Sequence, residues 1–156
     1  MTDAPAAIGR IHTFTTSSGA DTIDVGRKLA QLLAPPQLLV LTGDLGTGKT
    51  TLVKGIAEAL DAAEAEEVTS PTFTLLHEYD GTRQGQPIKL FHIDVYRLEG
   101  ERQLETLGLD DLLTDDALVL VEWGEKFKSI RKKSTGEILI EPLGGDARRI
   151  TVTLKG

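Results

Sequence analysis

Neither cysteine nor asparagine occurs among the 156 residues. Without cysteine there are no disulfides, iron–sulfur clusters, thiolate zinc sites or cysteine nucleophiles, which suits a reducing compartment. Long apolar runs are missing as well: Leu38-Leu39-Val40-Leu41 is far too short to span a bilayer. The first residues, Met1 to Arg10, carry Asp3 and no apolar segment of the secretory kind, so a cytoplasmic location is expected and no membrane association. Net positive charge is absent too. A formal charge of −7 argues against a surface that binds nucleic acid along its whole extent. One basic stretch stands out: Lys126, Lys128, Arg131, Lys132 and Lys133. It reads either as a solvated loop or as a local contact for phosphate, RNA or an acidic partner.

A hydrophobic fraction of 40% and a charged fraction of 26% describe an ordinary globule, and the length fits a single domain over residues 1–156. Residues 11–15 alternate like a strand. Residues 21–33 place Val25, Leu29, Leu32 and Leu33 at helical spacing behind possible caps at Ser18 and Asp21, and Pro35-Pro36 ends that helix. Residues 38–42 and 118–122 are short apolar runs suited to strands buried on both faces. Residues 49–60 put Leu52, Val53, Ile56, Ala57 and Leu60 on one helical face. Two further strands are expected over 73–79 and 88–94, joined by a turn over 80–87. Residues 101–113 read as a helix broken near Gly108. Residues 137–141 and 149–154 flank a Pro- and Gly-containing turn and read as a C-terminal antiparallel hairpin with one wet face. Strands alternating with helices before that hairpin predict an α/β layer fold with a mainly parallel sheet flanked by helices.

The segment Gly43-Asp44-Leu45-Gly46-Thr47-Gly48-Lys49-Thr50 matches the phosphate-binding pattern G-x-x-x-x-G-K-[ST]. Glycines let backbone N–H groups approach phosphate oxygens with no Cβ in the way. Lys49 sets a cation against the β- and γ-phosphates, and Thr50 offers a hydroxyl to Mg²⁺. The helix that opens here points its positive end at the same phosphates, with Thr51 in its first turn. An apolar strand before the pattern and an amphipathic helix after it supply the context it needs. The predicted fold is therefore that of a P-loop NTPase.

Such a loop works with acids at the ends of neighbouring strands. Two apolar runs end in one: Leu90-Phe91-His92-Ile93-Asp94 and Leu118-Val119-Leu120-Val121-Glu122. Asp94 is assigned to the metal, and Glu122 to the attacking water or a second metal contact. Capping of a turn is the alternative for either. His92 shares the strand face of Asp94 and could contact it; it is either a buried, hydrogen-bonded histidine or a catalytic one. His12 and His77 read as structural. Arg97 could reach phosphate or form a salt bridge at a helix start. Ser70-Pro71-Thr72-Phe73 is either a switch-like loop or a plain turn. Trp123 follows Glu122 at a strand end, where ligands of open α/β sheets bind.

ATP is favoured over GTP. With no asparagine, the guanine-specific Asn-Lys-x-Asp signature is impossible, and no aspartate has glycine three residues on. A small-molecule or nucleotide kinase is a rival reading, since the loop also has G-x-x-G-x-G-K-T spacing. A kinase also needs an acceptor pocket and an arginine-bearing lid, and no convincing acceptor arginines precede Lys126. The chain is short for a motor or remodelling ATPase.

Five segments together resemble one family. They are residues 43–51, then Ser70-Pro71-Thr72-Phe73-Thr74-Leu75, then His92-Ile93-Asp94-Val95-Tyr96-Arg97-Leu98, then Leu107-Gly108-Leu109, then Val121-Glu122-Trp123-Gly124-Glu125. Their order and spacing are similar to those of the bacterial TsaE family, the P-loop ATPase of tRNA threonylcarbamoyladenosine (t6A) biosynthesis. The resemblance implies an ATPase accessory that resets or activates a two-protein transferase heterodimer (TsaB/TsaD-like) and touches tRNA indirectly through those partners. It implies weak hydrolysis in isolation, Lys49 and Thr50 on phosphate and Mg²⁺, and Asp94 as the metal-associated acid. It also implies Glu122 as the second essential acid, Trp123 lining the nucleotide site, and a switch-like loop at 70–73. That family often carries proline after the tryptophan, where this chain has Gly124, and Leu-Pro near Ile130-Arg131, where this chain has neither. Both departures lie beyond the nucleotide residues and bear on partner contacts.

Overall fold

A computed structural model describes residues 10–44, 46–71 and 74–155. Its strands are β1 (Arg10–Thr16), β2 (Gln37–Thr42), β3 (Leu76–Arg83), β4 (Gln86–Asp94), β5 (Ala117–Glu122), β6 (Gly136–Gly144) and β7 (Ala147–Leu154). The helices are α1 (Gly19–Leu32), α2 (Lys49–Ala59), α3 (Glu101–Glu105), α4 (Leu109–Leu112) and α5 (Lys128–Lys133), with 3₁₀ turns at Ala65–Glu67 and Gly124–Lys126. None of these helices is long and apolar enough to cross a membrane.

All seven strands join one sheet in the order β1-β7-β6-β2-β5-β4-β3. The four central strands, β6, β2, β5 and β4, run parallel to one another, and both flanks are antiparallel. The expectation of a mainly parallel sheet therefore holds only at the centre: three of the six pairings are parallel and three antiparallel. The reason is connection length. A hairpin reverses the chain, whereas parallel neighbours need a long crossover. The expected C-terminal hairpin is β6–β7, with a register break between Pro142 and Gly144. The other hairpin, β3–β4, is tighter than the sequence suggests. Residues 80–83 pair in the ladder, and only Gln84 and Gly85, at φ 51° and 80°, make the turn. Strand β3 begins at Leu76; Phe73, the expected start, lies outside the described residues.

Alternation along the central strands sends side chains to two separate cores. On one face Leu39, Leu41, Leu90, Leu118 and Leu120 pack with Leu29, Leu52, Val53 and Ile56 of α1 and α2. On the other, Leu38, Val40, Phe91, Ile93, Val119 and Val121 pack with Leu104, Leu109 and Ile130 of the short helices. Every residue of β5 is buried, as its unbroken apolar run requires. Helix α1 is capped by the Ser18 hydroxyl, which accepts from the Asp21 N–H at 3.1 Å. Helices α1 and α2 meet backbone to backbone at Gly26 and Gly55. A Cβ on Gly55 would stand 2.0 Å from the Ile23 carbonyl oxygen, and one on Gly26 2.4 Å from that of Leu52. This close crossing seats α2 over the C-terminal ends of the parallel strands.

Candidate nucleotide-binding site

Strand register puts the two acids side by side. Leu41, Glu122 and Asp94 lie level across β2, β5 and β4, at the C-terminal ends of three parallel strands. The chain leaves β2 after Thr42 and makes the glycine-rich loop directly above them. Gly46 and Gly48 hold φ of 80° and 107°, the left-handed region that a side chain disfavours. Gly43 is fixed by close approach: a Cβ there would lie 2.7 Å from Thr47 Oγ1 and 2.9 Å from the Ile140 carbonyl oxygen. Thr47 is buried and its hydroxyl donates to the Asp44 carbonyl at 2.7 Å, folding the loop back on itself. Helix α2 starts at Lys49, with Gly48 as its N-cap residue.

A cleft of about 350 Å³ results, lined by Gly46, Gly48, Lys49, Thr50, Thr51, Ser70, Asp94, Glu122 and Trp123. An adjoining depression takes Gly43, Asp44 and the other side of Trp123. Of the described residues predicted for the site, all but Gly43, Asp44 and Thr47 line this one cleft, and Thr47 lines neither space. Leu45, also assigned to the nucleotide, and Thr72 of the switch-like loop lie outside the described residues. Arg97 is exposed and not among the residues lining the cleft.

Charge inside the cleft is organised around Lys49, only 6% exposed. Its ammonium donates to the Gly43 carbonyl at 2.7 Å, stands 3.8 Å from Glu122 Oε1 and lies 4.5 Å from the centre of the Trp123 ring. Asp94 and Glu122 are 3% and 4% exposed. Two buried carboxylates face one lysine, and Asp94, Glu122 and the Thr50 hydroxyl offer oxygen donors to the cleft. That donor set fits Mg²⁺ held by one or two carboxylates together with substrate phosphate. Among the described residues no group of three or more His, Cys, Asp or Glu is placed to hold a metal alone.

Three arrangements were not foreseeable from the motifs. His92 reaches Glu122 rather than Asp94: Nε2 lies 2.5 Å from Glu122 Oε2, a diagonal contact between β4 and β5. Asp94 Oδ1 instead accepts the Tyr96 N–H at 2.8 Å. Next, Trp123 has φ 65°, unusual for a bulky residue, and its ring lies 5.0 Å from that of Tyr96. Third, Arg148 on β7 donates from Nε to the Thr47 carbonyl at 2.9 Å and from NH1 to the carbonyls of Gly145 and Ala147. No sequence signal marks Arg148, because its contact spans 101 residues.

The basic stretch is divided rather than one patch. Lys126 donates to the Tyr96 carbonyl at 2.7 Å, Arg131 to the Glu125 carbonyl, and Lys133 pairs with Asp110 at 3.3 Å. Lys128 and Lys132 are exposed. His77 approaches the Tyr79 hydroxyl at 3.3 Å, away from the cleft. Gly124 is buried against Ile130 and Val121, with 2.9 Å and 3.0 Å to a hypothetical Cβ, so β5 leads into α5 by close packing.

Comparison with known proteins places this geometry among relatives. The family described as "Threonylcarbamoyl adenosine biosynthesis protein TsaE" matches residues 16–150. A Bacillus subtilis protein named tRNA threonylcarbamoyladenosine biosynthesis protein TsaE is 39% identical over 142 residues, 90% of this chain and 84% of the relative. Proteins of the same name from Streptomyces coelicolor and Treponema pallidum are 40% and 37% identical, covering 83% and 86% of this chain and 88% and 95% of the relatives. The crystal structure of Bacillus subtilis YdiB superposes with a TM-score of 0.67 at 32% identity, covering 95% of this chain and 88% of that one.

Proposed function

This chain belongs to the TsaE family, and from that premise we propose that it is an ATP-binding and hydrolysing subunit serving tRNA threonylcarbamoyladenosine formation. The single observation that carries the nucleotide chemistry is the convergence of Lys49, Thr50, Asp94 and Glu122 on one cleft under the N-terminus of α2. The helix N-terminus and the glycine-rich loop direct backbone N–H groups toward the phosphates. Lys49 exchanges its contact with the Gly43 carbonyl for the β- and γ-phosphates. Thr50 and Asp94 hold Mg²⁺, which when bound neutralises phosphate charge. Glu122, whose Oε1 stands 3.8 Å from Lys49 Nζ, orients the attacking water.

The names of the relatives support tRNA modification as the process served. The transferase step itself would belong to a two-protein heterodimer, with this chain resetting or activating it and meeting tRNA through those partners. The acidic surface, at a formal charge of −7, suits indirect rather than direct contact with RNA. Among the described residues lining the cleft there is no arginine, and transition-state charge can come from another chain. Turnover is therefore slow alone and stimulated by the heterodimer.

Reconstitution with the two partners, measuring ATP hydrolysis and tRNA modification together, tests this. Stimulated hydrolysis that tracks modification supports the proposal. Fast phosphate transfer to a small acceptor, indifferent to the partners, would instead make the chain a kinase.

A further inference from the structure

We infer that His92 is a positioning residue for Glu122, gripping one carboxylate oxygen so that the other stays off Lys49 and faces the nucleotide. This rests on the ATPase reading above and deepens it.

His92 is completely buried. It stands on the sheet face of Leu90, Leu118 and Leu120, where neighbouring strands contribute leucine to the core under α2. An imidazole at such a position is unfavourable unless it is hydrogen-bonded. Among the described residues its ring makes one hydrogen bond, to a cleft residue: Nε2 to Glu122 Oε2 at 2.5 Å. The other ring nitrogen, Nδ1, has no hydrogen-bond partner among the described residues. A carboxylate has no proton to give, so Nε2–H is the donor. The reverse tautomer would bury an unpaired N–H and set a lone pair against the carboxylate.

The second carboxylate oxygen shows what the grip accomplishes. Oε1 stands 3.8 Å from Lys49 Nζ, too far for a hydrogen bond, although both groups are buried. In a site of low dielectric, two such charges attract strongly. A free Glu122 side chain would close that gap and neutralise the cation that the phosphates require. The His92 bond opposes the swing from the far side. Lys49 keeps its bond to the Gly43 carbonyl, and Glu122 stays among the residues that line the cleft. His92 itself is buried and is not among the described residues that line the cleft.

The test uses the full chain with His92 replaced by Phe, Gln and Asn. ATP turnover is measured with the partner heterodimer, MgADP binding by calorimetry, and folding by thermal melting. In His92→Phe, kcat falls about tenfold or more while MgADP affinity stays within about threefold. His92→Gln recovers to within about threefold of wild type, because its amide nitrogen reaches where Nε2 stood, whereas His92→Asn, whose shorter amide mimics Nδ1, behaves like Phe. In a Glu122→Gln background His92→Phe adds less than about twofold, as expected of a residue acting through Glu122. Unchanged kcat in His92→Phe would overturn the inference alone. Equal losses in all three variants, with lowered melting temperatures, would make His92 purely structural. No ATP turnover by the wild-type chain with its partners would overturn the ATPase reading and this inference together. Should His92→Phe not fold, ¹⁵N histidine spectra of the wild-type chain decide. A protonated Nε2 supports the arrangement, and a bare Nε2 overturns it.

Discussion

The ammonium of Lys49 lies 4.5 Å from the centre of the Trp123 ring, beneath the phosphate loop and beside Glu122. The cation and the indole face stabilise each other by about 0.5–2 kcal/mol. A triphosphate that draws the lysine away must alter the ring's surroundings. Trp123 is the only tryptophan in the chain, so intrinsic emission reports on this pair. MgATP and MgADP are each expected to change emission intensity or wavelength with saturation. Lys49→Ala should fold, begin from a different emission and lose the nucleotide response, along with at least about a hundredfold in turnover. A folded Lys49→Ala chain with wild-type affinity and turnover would contradict the assignment.

Asp94 and Glu122 are register partners, yet their surroundings differ. Asp94 is tied to the Tyr96 N–H, and Glu122 stands between His92 and Lys49. Asp94→Asn is expected to weaken Mg²⁺-dependent nucleotide binding about tenfold or more. Glu122→Gln should retain nucleotide within a few-fold and lose hydrolysis, as for an interaction made beyond the ground state. Titration with and without Mg²⁺, combined with phosphate-release kinetics, separates the two. Identical defects would remove the division of roles.

Arg148 ties the C-terminal hairpin to the phosphate loop through the Thr47 carbonyl. Removing it leaves three carbonyl contacts unmade. Arg148→Ala should destabilise the fold by about 1–3 kcal/mol and weaken nucleotide binding severalfold, because the loop loses its outer anchor. Denaturant melts and calorimetry check both. Normal binding in the variant would leave the hairpin without influence on the loop.

Gly55→Ala tests the helix crossing that seats the loop. A methyl at 2.0 Å from the Ile23 carbonyl oxygen meets backbone, which cannot move aside as a side-chain tip can. A loss of about 1–3 kcal/mol or more is expected. Gly85→Ala provides a contrast, since its Cβ would meet nothing within 4 Å and its strain comes only from φ 80°. Equal stability of Gly55→Ala and wild type would show that α1 and α2 have room to separate.

Glu101 holds the start of α5 from another element, accepting the Ser129 hydroxyl at 2.6 Å and the Ser129 N–H at 3.2 Å. The Ser129 hydroxyl, then its N–H, holds the Glu101 carboxyl below the ordinary glutamate range. A lowered folded pKa stabilises the native state above the pKa of an unfolded glutamate, and that contribution vanishes as pH falls through the folded value. The stability difference between wild type and Glu101→Gln should thus be full near neutrality and shrink in acid. Melting both proteins across that range checks it. A difference that grew on acidification would contradict the sign.

Much of this protein was determined within short stretches of chain. The phosphate loop is contiguous, so residues 43–50 announce a strand, a glycine turn and a helix without reference to anything distant. The apolar runs before Asp94 and Glu122 carry the same kind of local information, since strands buried on both faces are mostly apolar, His92 being the one polar residue in the run from Leu90 to Ile93. The split of residues 101–113 at Gly108 likewise follows from one residue, which adopts φ 71° between α3 and α4. What tertiary structure alone decided concerns pairs far apart in sequence. Only the register of β4 against β5 sends His92 diagonally to Glu122, although His92 is two residues from Asp94. Only the return of β7 alongside β6 delivers Arg148 to Thr47. The balance of parallel and antiparallel pairings was hidden for the same reason. Side-chain alternation reports which face a residue takes, whereas the direction of its neighbouring strand is set by the connection and by packing against α1 and α2.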